Sequence, residues 1–325
     1  MKTDTKDKIL AYITEKGPVK PKEIWLYSKI SQPALYRHLK KLLESGKIIK
    51  IGTSPRVFYA PKKSPTLPQG TVKNIHNLDI IQNNFLDISP SGEYLNGIDG
   101  FAYWCGRRKL DIVKTSQEFV TAREKYEKMK VKGLLNGMEK ISSTFDKIYL
   151  DKIFYLDFYA IERFGKTKLG TLVTHAKQDQ SNKLIYKIAE MTKEKINAVV
   201  KNEKIDAIGY IPPTVPRKIQ TLSTLKDIIN IQKPHLKIIK TNKGIGVPQK
   251  TLSKLEDRIE NANTTIFVNE KIQYGNILLI DDAIGSGATL NETAKKIKEQ
   301  GLCSGKIIGL ALVGSIKGFD VIKGV

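Results

Sequence analysis

Apolar positions at the start of the chain recur with helical period three times, then with strand period twice. Over residues 6–15, Ile9, Leu10 and Ile13 share one helical face, and Gly17-Pro18 stops the run. A second helix is predicted from Pro21 to Ser28, with Ile24, Trp25 and Tyr27 as its apolar content. A third starts after Ser31, a capping residue, with Pro33 in the first turn where its missing N–H costs nothing. Leu35, Leu39, Leu42 and Leu43 form its apolar stripe, and Gly46 ends it. Ile48, Ile49 and Ile51 then predict a strand, Gly52 to Arg56 a turn, and Val57-Phe58-Tyr59 a returning strand.

Residues 61–70 carry three prolines and no apolar period, which predicts a linker. The stretch from Ser89 to Gly100 is rich in turn residues, and Ser116 to Val131 predicts an amphipathic helix with Phe119, Val120, Tyr126 and Met129 apolar. Further on, helices are predicted at Asn182–Lys201 and Leu222–Ile231. Strands are predicted at Ile205–Ile211, Leu236–Lys240, Thr264–Val268, Ile277–Ile280 and Lys306–Val313. This alternation predicts an α/β fold built on a doubly wound, mostly parallel sheet. Three regions follow: residues 1–62, a linker and intermediate region at 63–146, and the α/β region at 147–325.

Charge changes the picture. Lys and Arg number 55 against 33 Asp and Glu, a formal net charge of +22, which points to polyanionic partners. Residues 1–63 alone hold 15 cations and 5 anions, a net of +10, so the three-helix segment carries almost half of the excess. Apolar residues make up 40 %, enough for packed cores. No apolar run reaches membrane-span length, the first residues do not read as a secretory signal, and two cysteines cannot build a disulfide framework. The expected setting is cytoplasmic, without membrane attachment.

The run from Ser31 to Gly46, followed by strand, turn and strand, resembles the winged helix-turn-helix family over residues 6–61. The resemblance implies that the third helix enters the major groove of DNA and that the wing touches the backbone. Gln32, Tyr36, Arg37, Lys40 and Lys41 would then face DNA, with Arg56 at the wing. Winged helices also serve as protein-docking domains. The local charge favours DNA.

A second cluster, Tyr103-Trp104-Cys105-Gly106-Arg107-Arg108-Lys109, mixes aromatics with cations. It reads as core aromatics beside a surface turn in preference to a base-stacking platform. His175 and His235 have no partner at readable spacing and are expected to be surface or core residues.

The densest chemistry lies at Asn276 to Leu290. An apolar strand is followed by Asp281 and Asp282, then by the small-residue loop Ala283-Ile284-Gly285-Ser286-Gly287-Ala288-Thr289, then by a helix to about Gln300. Small residues let backbone N–H groups crowd around a phosphate, and the helix N-terminus adds a favourable dipole. The two carboxylates can accept hydrogen bonds from sugar hydroxyls or hold a divalent ion. This segment resembles the phosphoribosyl-pyrophosphate loop of type I phosphoribosyltransferases, with Gly285 in place of a usual hydroxyl residue. The string Gln249, Leu255, Arg258, Asn261, Phe267 and the segment Phe164-Gly-Lys-Thr-Lys are similar to the ComF-like branch, without that branch's zinc-binding cysteine pairs.

The resemblance spans residues 147–315 and implies roles. Asp281 and Asp282 would bind ribose hydroxyls and, indirectly, magnesium. The loop from Ala283 to Thr289 would cradle the 5′-phosphate, and Arg217 and Lys218 would reach the pyrophosphate. Arg258 either assists or forms an ion pair with an acid such as Glu256. Together the two resemblances imply a homodimeric DNA-binding regulator responsive to phosphoribosyl pyrophosphate or a nucleotide. The alternative is an active transferase, in nucleobase salvage or in DNA uptake and foreign-DNA defence.

Overall fold

The computed structural model describes residues 4–51, 57–61, 75, 77–89, 92–241 and 254–315. The chain divides into two compact units, residues 1–120 and 121–325, so the stretch 63–146 is shared between them.

The first three helices are α1 (Thr5–Lys16), α2 (Pro21–Ser28) and α3 (Gln32–Glu44), followed by β1 (Ile48–Ile51) and β2 (Phe58–Pro61). The Asp4 carboxylate accepts the Lys6 N–H at 3.2 Å and caps α1. Ile9 and Ile13 of α1, Ile24 of α2, and Leu35, Leu39 and Leu42 of α3 close one core with Ile48 and Tyr59. Burial of each such aliphatic side chain contributes about 2 kcal/mol. The core therefore holds together the three helices, and α3 turns Arg37, Lys40 and Lys41 outward. β1 and β2 pair antiparallel, and Val19 exchanges two hydrogen bonds with Tyr59 on the free side of β2, at 2.9 and 2.8 Å. The turn at residues 52–56, with Arg56, and residues 62–70 of the linker expected at 61–70 lie outside the described residues, and Pro61 ends β2.

The next segment holds α4 (Leu78–Asn84), the hairpin β3 (Leu86–Ile88) and β4 (Tyr94–Asn96), α5 (Gly97–Arg107) and α6 (Ile112–Glu127). Its nucleus is aromatic: Phe85 meets Phe101, Trp104 and Phe119 edge-on, with centroids 5.0, 6.1 and 5.3 Å away. The expected helix at 116–131 is displaced. It starts at Ile112, after Asp111, whose carboxylate accepts the Lys114 N–H at 2.7 Å. It ends at Glu127, and Met129, expected on its apolar face, is exposed.

β5 (Lys130–Val131) and β6 (Leu134–Asn136) form a hairpin whose two turn residues, Lys132 and Gly133, both have positive φ. After α7 (Met138–Thr144) come β7 (Lys152–Phe158), a small hairpin of β8 (Ala160–Ile161) and β9 (Gly165–Lys166), and helices α8 (Lys168–Gln178) and α9 (Asn182–Asn202). The chain continues through β10 (Ile205–Tyr210), α10 (Thr221–Ile229), β11 (Ile238–Lys240), α11 (Leu255–Thr265) and β12 (Ile266–Val268). It closes with β13 (Asn276–Ile284), α12 (Ala288–Glu299) and β14 (Ile307–Gly314).

Six of these strands form one sheet in the order β10-β13-β14-β7-β6-β5. The first four are parallel, and β6 and β5 are antiparallel. All eight residues of β14 are buried, as expected of a central parallel strand covered on both faces. Asp157 of β7 pairs with Arg123 at 3.2 Å and Lys130 at 3.0 Å, and all three are largely buried. Burial alone would raise the Asp157 pKa, but these two cations outweigh it and hold the carboxyl below its usual range. That cluster ties Arg123 and the β5–β6 hairpin to β7.

Candidate functional site

α3 presents two different surfaces. Its buried stripe of Leu35, Leu39 and Leu42 puts Arg37 and Lys41, one turn apart, on the opposite and exposed face. Lys40 is exposed beside them and pairs with Glu44 at 3.9 Å. Gln32 and Tyr36 instead flank the core side, where they line a cleft of about 400 Å³ with Lys20, Lys22, Trp25 and Val57. The Lys20 ammonium stands 5.7 Å from the centre of the Phe58 ring. The five α3 residues are therefore all accessible but do not share one face. The sequence names Trp25 only as apolar content of α2 and gives Lys20 and Lys22 no role, because around Pro21 it shows only a helix onset. The turn into α3 passes through Lys29 in the left-handed region, φ 50°.

The second site lies at one edge of the six-stranded sheet. β10 and β13 are parallel neighbours with Tyr210 opposite Ile280, so the chain leaves both at the same edge. There the loop 211–220 lies after β10, and Asp281 and Asp282 follow Ile280. The strand does not stop at Ile280 as expected. It continues to Ile284, because Asp281 pairs in register with Ala311 of β14 and Ile284 with Gly314. Both acids are half-buried strand residues on opposite faces, not loop residues.

Two lysines act on the pair. The Lys177 ammonium, from the last turn of α8, lies 2.5 Å from Asp282 Oδ1. Lys240 of β11 acts on Asp281 through its charge and donates to Thr214 Oγ1 of the loop 211–220 at 2.7 Å. The Asp282 N–H donates to Asp281 Oδ1 at 2.8 Å. Burial, followed by the negative charge of Asp282, pushes the Asp281 carboxyl up to about 7, against the opposing pull of Lys177 and Lys240. Lys177 and Lys240 were not singled out in the sequence, because they come from elements remote from the acids.

After Ile284 the chain turns through exposed Gly285, buried Ser286 and Gly287 into α12. Gly287 sits at φ 88°, and a Cβ there would fall 2.3 Å from Ile141 Cδ1. Only glycine fits that turn. Ser286 Oγ accepts the Ala288 N–H at 3.3 Å, so this hydroxyl is already turned toward the helix start. Ala288 is buried and Thr289 is partly exposed on the first turn of α12. The first-turn N–H groups of α12 have no intrahelical acceptor and suit an anion. Buried Arg258, from α11, stands beside this turn, its Nη1 3.5 Å from the position of a Cβ on Gly285. Burial lowers the pKa of that guanidinium.

Arg217 and Lys218 lie in the loop 211–220, half-buried and exposed respectively. Gln220 Nε2 donates to the Val215 and Arg217 carbonyls at 3.3 and 3.2 Å and braces this loop. Gln249 lies outside the described residues. His175, expected without a partner, pairs with Asp179 at 3.2 Å one helical turn on, a spacing visible in the sequence. The cations near Tyr103 are also engaged: Arg107 pairs with Asp87 at 2.7 Å, and Arg108 stacks 4.3 Å over buried Trp104.

With both sites described, the family comparison falls on the first. Residues 3–50 match the family model described as bacterial regulatory protein, arsR family. They form an ArsR-type helix-turn-helix domain. The matched span covers α1 to α3 and most of β1, and it supports a DNA-binding transcription regulator. No curated protein matches the chain. Among the described residues no helix is long and apolar enough to cross a membrane.

Proposed function

We propose that this chain is a transcription regulator whose second unit binds phosphoribosyl pyrophosphate or a related nucleotide and thereby alters DNA binding. The reading rests on one arrangement. A parallel strand carries paired acids into a glycine turn and a helix N-terminus, at the edge where the neighbouring strand delivers the loop 211–220. Ligands of open parallel sheets bind at such edges. Asp281 and Asp282 would accept the ribose hydroxyls, the turn from Ala283 to Thr289 would hold the 5′-phosphate, and Arg217 and Lys218 would face the pyrophosphate. DNA would lie against Arg37, Lys40 and Lys41, with Gln32 and Tyr36 at the flank. A homodimer suits a reader of paired half-sites.

Magnesium, which the phosphoribosyltransferase resemblance brings with it, fits these residues poorly. Asp282 already holds the Lys177 ammonium at 2.5 Å, and the charges of Lys177 and Lys240 both act on Asp281. Among the described residues, no group of three or more His, Cys, Asp or Glu is placed to hold a metal.

The test uses the full chain and a fluorescent random-sequence duplex. Adding phosphoribosyl pyrophosphate is expected to change duplex affinity by about fivefold or more, as ligand-coupled states require. Asp282→Asn should abolish the change while leaving basal DNA binding intact. Binding of the ligand with no shift in duplex affinity would refute the regulatory coupling. Base-dependent release of pyrophosphate, lost in the same variant, would establish the alternative of an active transferase.

A further inference from the structure

We infer that Lys177 and Lys240 are built-in counter-cations of the acidic pair, so that the site takes its phosphorylated ligand without a divalent metal. The inference rests on the ligand reading given above and specifies its ionic requirement.

A sugar polyphosphate entering this edge meets two carboxylates, which repel it unless positive charge lies between. In principle a metal or a side chain can supply that charge. Here side chains do so from two elements. Lys177 reaches Asp282 from α8 at 2.5 Å, and its side chain keeps about a third of its surface open, 32 %. Lys240 reaches toward Asp281 from β11 and is hydrogen-bonded to Thr214 in the loop assigned to the pyrophosphate. Lys177 thus lies against Asp282 and also acts on Asp281, and Lys240 is already tied to the segment expected to hold the pyrophosphate.

A divalent ion placed on the pair would have to expel an ammonium at ion-pair distance or sit beside it against like-charge repulsion. A ligand needs no such exchange. Its ribose hydroxyls donate to the carboxylates, and the ammonium groups turn to phosphate oxygens. The lysine head, a compact cation with three donors on a flexible stem, suits that change of partner.

The experiment is calorimetric titration of the full chain with phosphoribosyl pyrophosphate, once in EDTA and once in excess magnesium. Wild-type protein is expected to bind in EDTA with a Kd within about threefold of its magnesium value. Lys177→Gln should weaken binding in EDTA by about tenfold, the usual scale for removing one partner of a close charge pair, and magnesium should restore most of the loss. Lys177→Arg, which keeps the charge, should bind in EDTA like wild type, and an unchanged melting temperature in both variants excludes misfolding. Binding by wild type in magnesium only, or by Lys177→Gln in EDTA as tightly as wild type, would overturn the inference and leave the ligand reading standing. Absence of binding by wild type in both buffers would overturn both.

Discussion

A carboxylate that ionises only near neutral pH is the sharpest single-residue signature in this protein. Asp281 is driven up to about 7 by burial and then by its neighbour Asp282. In the unfolded chain it would ionise in the ordinary range, near pH 4. Between those values the native state holds a proton that the unfolded state has released, so its contribution makes stability fall as pH rises from about 4 to about 7. Above that window the loss is complete. Asp281→Asn keeps the shape and removes the titration. Urea melts should show the variant more stable than wild type at about pH 8, by on the order of 2 kcal/mol, and little different at about pH 4. An equal difference at both pH values would show that Asp281 is not the group responsible. A residue costly to stability is in keeping with the proposed ligand role, a trade-off common at functional sites.

Elements decide whether that edge can form, and the turn before α12 depends on one glycine. Gly287→Ala adds strain at φ 88° and drives a methyl into Ile141, which is fully buried. Its expected cost is about 1–3 kcal/mol, read as a lower urea midpoint, together with loss of phosphoribosyl pyrophosphate binding. Gly285→Ala provides the contrast. Its Cβ would meet only Arg258 Nη1, at an ordinary 3.5 Å, so its stability should stay within about 0.5 kcal/mol of wild type. Equal effects of the two changes would remove the special role of Gly287.

The same scale shows what the sequence makes legible. α1 to α3 and the long α9 match their periods closely, since each has one apolar stripe, and α1 and α3 also have clear stop residues in Gly17 and Gly46. The start of α6 is written in Asp111 and is legible as a cap, but its end is not. The Lys132-Gly133 turn places a lysine in a left-handed conformation, and strands of two and three residues carry no readable alternation. Their membership in the sheet comes from the buried pairing of Arg123 and Lys130 with Asp157, a long-range contact. The acids and the glycine turn of the ligand edge are local in sequence and could be read there. Lys177 and Lys240 are brought to them only by the packing of α8 and β11, so no local pattern reveals them.

At the scale of the whole molecule, the proposed function divides the excess of +22 between two kinds of anion. Part of it lies on the ArsR-type domain, where the outward face of α3 carries Arg37 and Lys41. Lys40 stands with them but shares its charge with Glu44. Gln32 and Tyr36 sit apart, in the cleft beside Lys20 and Trp25. On the proposed DNA reading, this separation gives the two pairs different work. Cations on an open helix face neutralise phosphates and release counterions, which makes affinity fall steeply with salt whatever the sequence. A neutral amide and a phenol release none, and they are suited to base edges and stacking. Replacing Arg37 and Lys41 together by alanine should therefore weaken binding to every duplex and reduce the slope of log affinity against log salt by about 2. Gln32→Ala should leave that slope alone and reduce discrimination between duplexes by about 1–3 kcal/mol at one position. The assignment fails if the double variant keeps the wild-type salt slope, because phosphate contact would then have to come from another face of the domain.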